Sequence, residues 1–223
     1  MSQKAMVFID GGWLYRSRTT LFAKLGEENF EIDYAKLPKI FCEDVANRLD
    51  EDISLVRTNY FGTIPSARSG FNTSKQYDFL ERSCGYETEI HEVDVGTDEN
   101  WIKMSLASSL LYYAAQPGAF DIALLIGDDP DYAPVLRRAR LFGKRIQIVG
   151  AHDADGKEPP PATLASRSRV ADFPLLWIDD HASEVRLVRE RVTRVCKQCG
   201  REEETTWAGP EFFCVACRGR HRK

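Results

Sequence analysis

The chain has 223 residues, 43% hydrophobic and 29% charged, enough to bury a core in one domain of about 150 to 180 residues plus an appendage. No apolar run approaches the roughly 18 residues of a membrane span, which excludes a spanning helix, and the N-terminus runs straight into a predicted strand, so a cytoplasmic protein is expected. The net charge of −4 is uneven: Glu184 to Lys223 carries ten Lys/Arg against six Asp/Glu, a net of +4, which leaves −8 for the residues before it. An acidic body with a basic tail suits a metal-using enzyme acting on a polyanion, because the tail can supply the phosphate attraction that an acidic site opposes.

In chain order, Ala5 to Ile9 reads as a buried strand ending at Asp10, and Gly11 and Gly12 then allow a tight strand-to-helix turn. Tyr34, Leu37, Phe41, Val45 and Leu49 recur at helical spacing and predict a helix within 33–49, with Pro38 near its start. Ile53 to Ile64 is β-branched and aromatic, as in a strand; 65–73 reads as a polar connection carrying Arg68, and 74–84 as a helix. Glu87 to Val95 alternates like a strand. Gly96 and Thr97 then open a helix running to Gln116, with Asp98 in the first turn, where the helix dipole favours a carboxylate.

The stretch from Phe120 to Gly150 is the most informative. Ile122 to Ile126 is short and wholly apolar, as in a strand buried on both faces of a parallel sheet. Gly127 follows, then Asp128, Asp129 and Asp131. A helix starts near Pro130 and ends at Gly143, and Arg145 to Val149 forms a further strand. Asp at such a turn is an ordinary N-cap. Three acids within four residues exceed what one cap requires, and they repel unless a cation or a proton joins them. Asp10 and Asp129 fall on the same carboxyl edge of the sheet, where open α/β folds build sites. Beyond a Pro-rich loop, 163–171 is read as a helix, 173–178 as an edge strand or lid, and 181–194 as a charged helix or linker.

The tail carries Cys196-x-x-Cys199, fourteen intervening residues, then Cys214-x-x-Cys217, the spacing of a four-cysteine zinc ribbon. Trp207, Phe212 and Phe213 lie between the knuckles, and Arg218, Arg220 and Arg222 follow. This mixture suits nucleic-acid contact or the docking of a protein partner. Cys42 and Cys84 fall outside any ligand spacing and are read as buried thiols.

Three blocks resemble the NYN family, the LabA-like branch of the PIN-like nucleases. FIDGGWLY at Phe8 to Tyr15 is similar to its strand-end "IDGxNLY", and GTDENWI at Gly96 to Ile102 to its middle helix start. GDDPDYAPVLRRARLFGKRIQIVG from Gly127 is similar to "SGDSDFxPLVxxxRxxGKxVxVxG". The resemblance covers about Lys4 to Ile178. It implies an α/β/α three-layer PIN-like domain over 1–180 with a mainly parallel sheet, followed by a linker or helix at 181–194 and the ribbon at 195–223. It also implies Mg²⁺ or Mn²⁺ held by Asp10, Asp98, Asp129 and Asp131, which fall on the family's acids, with Asp94 and Asp128 as additional acidic candidates. The sequence departs from the pattern at Trp13, where the family has Asn, and at Met104 or Asn100, where it has a second Asp.

The expected activity is metal-dependent endoribonuclease, with Arg68, Arg137, Arg138 and Lys144 as candidate phosphate contacts beside the tail arginines. RNA is the expected partner, with DNA and a homodimer left open. The competing reading is a PIN-like adaptor without efficient catalysis, which the two departures favour. An aspartyl-phosphate mechanism is disfavoured, because Asp10 lacks the second Asp and the Thr that such phosphatases place just after the nucleophile.

Overall fold

Strand β1 (Gln3–Asp10) is buried from Ala5 onward because helices cover both of its faces. Its side chains alternate between two cores. Ala5, Val7 and Ile9 face one cluster with Leu14, Leu37, Phe41 and Val45. Met6 and Phe8 face the other, with Ile102, Leu106, Leu110 and Leu136. These two apolar layers, one on each side of the sheet, make the fold a three-layer α/β/α sandwich.

The computed structural model describes residues 2–25, 31–65, 71–94, 100–152, 170–207 and 209–218. The chain folds as two compact units, Met1–Arg186 and Leu187–Lys223. In the first, β1 is followed by α1 (Gly11–Leu25), α2 (Leu37–Leu49), β2 (Ile53–Pro65), α3 (Phe71–Arg82), β3 (Glu87–Val93), α4 (Asn100–Ala114) and β4 (Ile122–Ile126). A 3₁₀ turn (Pro130–Tyr132) then leads into α5 (Ala133–Leu141), β5 (Arg145–Gly150), β6 (Leu176–Trp177) and α6 (Ala182–Val185). The six strands run in the order β3-β2-β1-β4-β5-β6, and every described pairing among them is parallel.

Several boundaries differ from expectation. Helix α2 starts only at Leu37, because Pro38 suits a first turn and no later position. Asp33 instead closes the preceding turn, its Oδ1 accepting from the Ala35 N–H at 3.1 Å. Helix α3 begins at Phe71, inside the segment read as a connection. The predicted helix over 163–171 lies mostly outside the described residues, and its last two positions are not helical. Phe173 to Ile178 contributes only the two-residue edge strand β6. Over 181–194, read as a charged helix or linker, the helix is one turn, α6, after which Val192–Val195 is extended.

Gly11 is fixed by space. A Cβ there would lie 2.5 Å from the Tyr60 ring and 2.6 Å from the Phe61 carbonyl oxygen, so α1 can leave β1 without a break only on a glycine. Gly11→Ala is expected to lower stability by about 1–3 kcal/mol through overpacking, read as a fall in urea midpoint at unchanged m-value. An unchanged midpoint would mean that Tyr60 yields freely.

Candidate functional site

The strand order reverses between β1 and β4, so the connections leaving these two strands part to opposite faces and open a crevice at their carboxyl ends. Ile9 pairs with Ile126, which sets Asp10 level with Gly127 at the lip of that crevice. Asp10 is thus the last residue of β1, and Asp129 and Asp131 belong to the turn that carries β4 into α5.

Asp10 is only 2% exposed. Its Oδ1 accepts from the Trp13 N–H and its Oδ2 from the Tyr132 hydroxyl, both at 2.8 Å. The first bond caps α1, and the second ties the β1 edge to the β4–α5 turn. Burial, and then the adjacent Asp10 carboxylate, hold the Tyr132 phenol far above its usual range, so it remains a donor; Arg16 pulls it weakly the other way.

Asp129 caps the 3₁₀ turn, accepting from the Asp131 N–H at 2.9 Å. Its Oδ2 lies 2.8 Å from the Lys103 Nζ, and Asp131 Oδ2 lies 2.7 Å from the same ammonium. Burial works against that charge, but the hydrogen bonds it donates to both carboxylates outweigh it and raise the lysine above its ordinary range. Asp128 is buried and turned toward the end of β5, where a Cβ on Gly150 would meet its Oδ2 at 3.1 Å. Asp94 is exposed one residue beyond β3, with β2 between that strand and β1. Asp98 and Arg68 lie outside the described residues.

Among the described residues, the acids do not form a closed cage. The groups of three or more ligand atoms mutually within 4.8 Å are the four tail cysteines and His152, Asp179 and Asp180. The donor chemistry at Asp129 and Asp131 still fits a hard divalent ion, since these carboxylates are oxygen ligands and already share one cation.

The basic candidates are distributed differently. Arg137 and Arg138 are exposed on α5, the latter with its guanidinium 5.7 Å from the Phe142 ring centroid. Lys144 immediately precedes β5 and so lies at the amino edge of the sheet, opposite the acids; its Nζ donates to the Phe120 carbonyl at 2.6 Å. The structure does not bring Lys144 to the site.

Lys103 is the side chain at the acidic turn that sequence reasoning missed. Its one signal was its place beside Met104, where the family pattern has Asp; Met104 itself is 64% exposed. A second omission is the pair His152–Asp179, just beyond β5 and β6. His152 Nδ1 lies 2.7 Å from Asp179 Oδ2, its backbone N–H donates to Oδ1 at 3.0 Å, and its ring stacks 4.2 Å from Trp177. The sequence signal was the acidic pair closing a short apolar run.

The second unit is a small hairpin, β7 (Val192–Val195) with β8 (Glu202–Thr205), followed by a one-turn helix, α7 (Val215–Arg218). Cys196, Cys199, Cys214 and Cys217 converge within 4.8 Å, as the spacing required. Gly200 closes the first knuckle at φ 70°, its N–H donating to the Cys196 carbonyl at 2.9 Å. The Cys214 N–H donates to Cys196 Sγ at 3.3 Å, and this bond, with others from Cys199 and Gln198, pulls the Cys196 thiol down to about 6. The shared hydrogen bond with Cys214 pushes Cys217 up to about 12. Outside the cluster, burial pushes the Cys42 thiol up to about 12, as expected for a structural residue, while Cys84 is half-buried. Arg218 Nε donates to the Phe213 carbonyl at 2.9 Å; Arg220 and Arg222 lie outside the described residues.

A parallel α/β/α sandwich with acids at its switch point defines the PIN-like class of nuclease folds. Within that class, the sequence matches the NYN domain over residues 4–173, and the chain belongs to this family. A solved protein of unknown function from Vibrio parahaemolyticus shares the fold at a TM-score of 0.54 and 15% identity, covering 83% of this chain and 97% of that one. A search of curated proteins finds no match to the sequence.

Tyr132→Phe removes a donor from the buried Asp10 carboxylate and is expected to cost about 1.5–3 kcal/mol in chemical denaturation. A loss under about 0.5 kcal/mol would mean that water replaces the phenol.

Proposed function

We propose that this protein is a metal-dependent endoribonuclease of the cytoplasm that cleaves RNA phosphodiester bonds at the β1–β4 crevice. The observation that carries the reading is the meeting of Asp10 with the Asp129–Asp131 turn at the switch point of a parallel sheet. Asp10, Asp129 and Asp131 would hold Mg²⁺ or Mn²⁺, with Asp98 the remaining acid that the family pattern supplies. A metal bound there supplies an activated water and charge stabilisation at the phosphate.

The chain's own residues do the rest. Tyr132 and the Trp13 N–H fix the Asp10 carboxylate, so it needs little reorganisation to act as a ligand. The Asp129 cap holds the 3₁₀ turn and with it the spacing of Asp129 and Asp131. The exposed Arg137 and Arg138 offer phosphate contacts on α5.

In the second unit, the four converging thiols suit a structural Zn²⁺, and hydrogen bonds to its sulfur hold Cys196 below the usual thiol range. We assign the ribbon to holding RNA or a protein partner through Trp207, half-exposed, and the basic residues around it. The adaptor reading keeps one specific observation in its favour: a lysine ammonium lies between two of the acids that a nuclease would give to metal.

Asp129→Asn should abolish metal-dependent cleavage of labelled RNA, with unchanged circular dichroism. Retained activity would remove this carboxylate from the mechanism. Cys214→Ser should drop bound zinc from about one per chain toward zero and melt only the hairpin unit. Unchanged zinc by metal analysis would contradict the four-cysteine site.

A further inference from the structure

Lys103 projects from α4 into the acidic crevice, and its Nζ lies 2.8 Å from Asp129 and 2.7 Å from Asp131. The side chain is about one quarter exposed, while Asp129 is 18% exposed, so this pair is shielded from solvent more than an ordinary surface ion pair. Two carboxylates held together by the Asp129 cap repel each other unless a cation joins them, and here the chain provides its own. The ammonium therefore occupies the position that a divalent ion bridging these two carboxylates would take.

We propose that Lys103 is a place-holding cation: it keeps Asp129 and Asp131 together before metal arrives and competes with the divalent ion for them, setting the metal affinity of the site. The inference rests on the nuclease reading for the identity of the ligands, and it assigns that site a built-in regulator. The carboxylates cannot serve both cations fully, so metal binding displaces Lys103. The displaced ammonium stays within reach of the crevice, where the phosphate of a bound nucleic acid is its natural next partner.

The test is Mn²⁺ binding to the full, zinc-loaded chain without RNA, by calorimetry, for wild type, Lys103→Met, Lys103→Arg and Lys103→Met/Asp129→Asn. Methionine keeps the stem of the side chain and removes the charge. Lys103→Met should bind Mn²⁺ roughly tenfold more tightly than wild type, the scale of one shielded charge pair. Lys103→Arg should stay near wild type, and the double variant should lose the gain. The melting temperature of Lys103→Met should also rise more on Mn²⁺ addition than that of wild type. Equal or weaker Mn²⁺ binding by Lys103→Met, undetectable binding by that variant, or a gain that persists in the double variant would overturn the proposal. Because the readout is metal affinity, a failure to cleave RNA would strike the nuclease reading and leave this result standing.

Discussion

The hydrogen bond from the Tyr132 hydroxyl to Asp10 is the contact on which the site depends. It joins residues 122 positions apart, one at the end of β1 and one in the turn after β4, across the point where the strand order reverses. Parallel pairing of β1 with β4 brings the two segments level, and the phenol then fixes the distance between them. Its burial makes the bond costly to leave unmade: a carboxylate that is 2% exposed needs its donors, and the Tyr132 hydroxyl and the Trp13 N–H are two that the protein supplies. Asp10 is therefore held at the end of β1, and Asp129 and Asp131 on a turn only a few residues long after β4.

Around that contact the acids are balanced by basic groups of the same unit. Lys103 bridges Asp129 and Asp131, and Arg16 acts on the Tyr132 phenol from the other side. The chain thus supplies part of the counter-charge that the acidic crevice needs. The cysteine unit follows the opposite logic. Among the described residues it has almost no apolar interior beyond Phe212 and the thiols, so the thiol cluster itself is the core, and an ion that binds it supplies folding free energy.

Much of the fold was legible because its signals were local. The apolar run Ile122–Ile126 became β4 with those bounds, since a strand buried on both faces needs no alternation. Asp10 and Asp129 were legible as partners because both follow apolar strands that a parallel sheet aligns. The cysteine spacing announced the cluster that the structure contains. What stayed hidden depends on tertiary geometry: Lys103 looks like any solvated helix charge in sequence, and only the crossing of α4 over the β4–α5 turn aims it at the acids. Lys144 was misplaced for the converse reason. It is close in sequence to the acidic block, but a whole strand's length and the sheet's polarity put it at the opposite edge.

The measurement that bears most directly on the central claim is cleavage of end-labelled single-stranded and hairpin RNA by purified wild type in Mn²⁺, Mg²⁺ or EDTA, beside an Asp10→Asn preparation made in parallel. Cutting that requires the divalent ion and disappears with Asp10→Asn is the predicted result. RNA that is bound but left intact in every metal, or cut equally by Asp10→Asn, would contradict it.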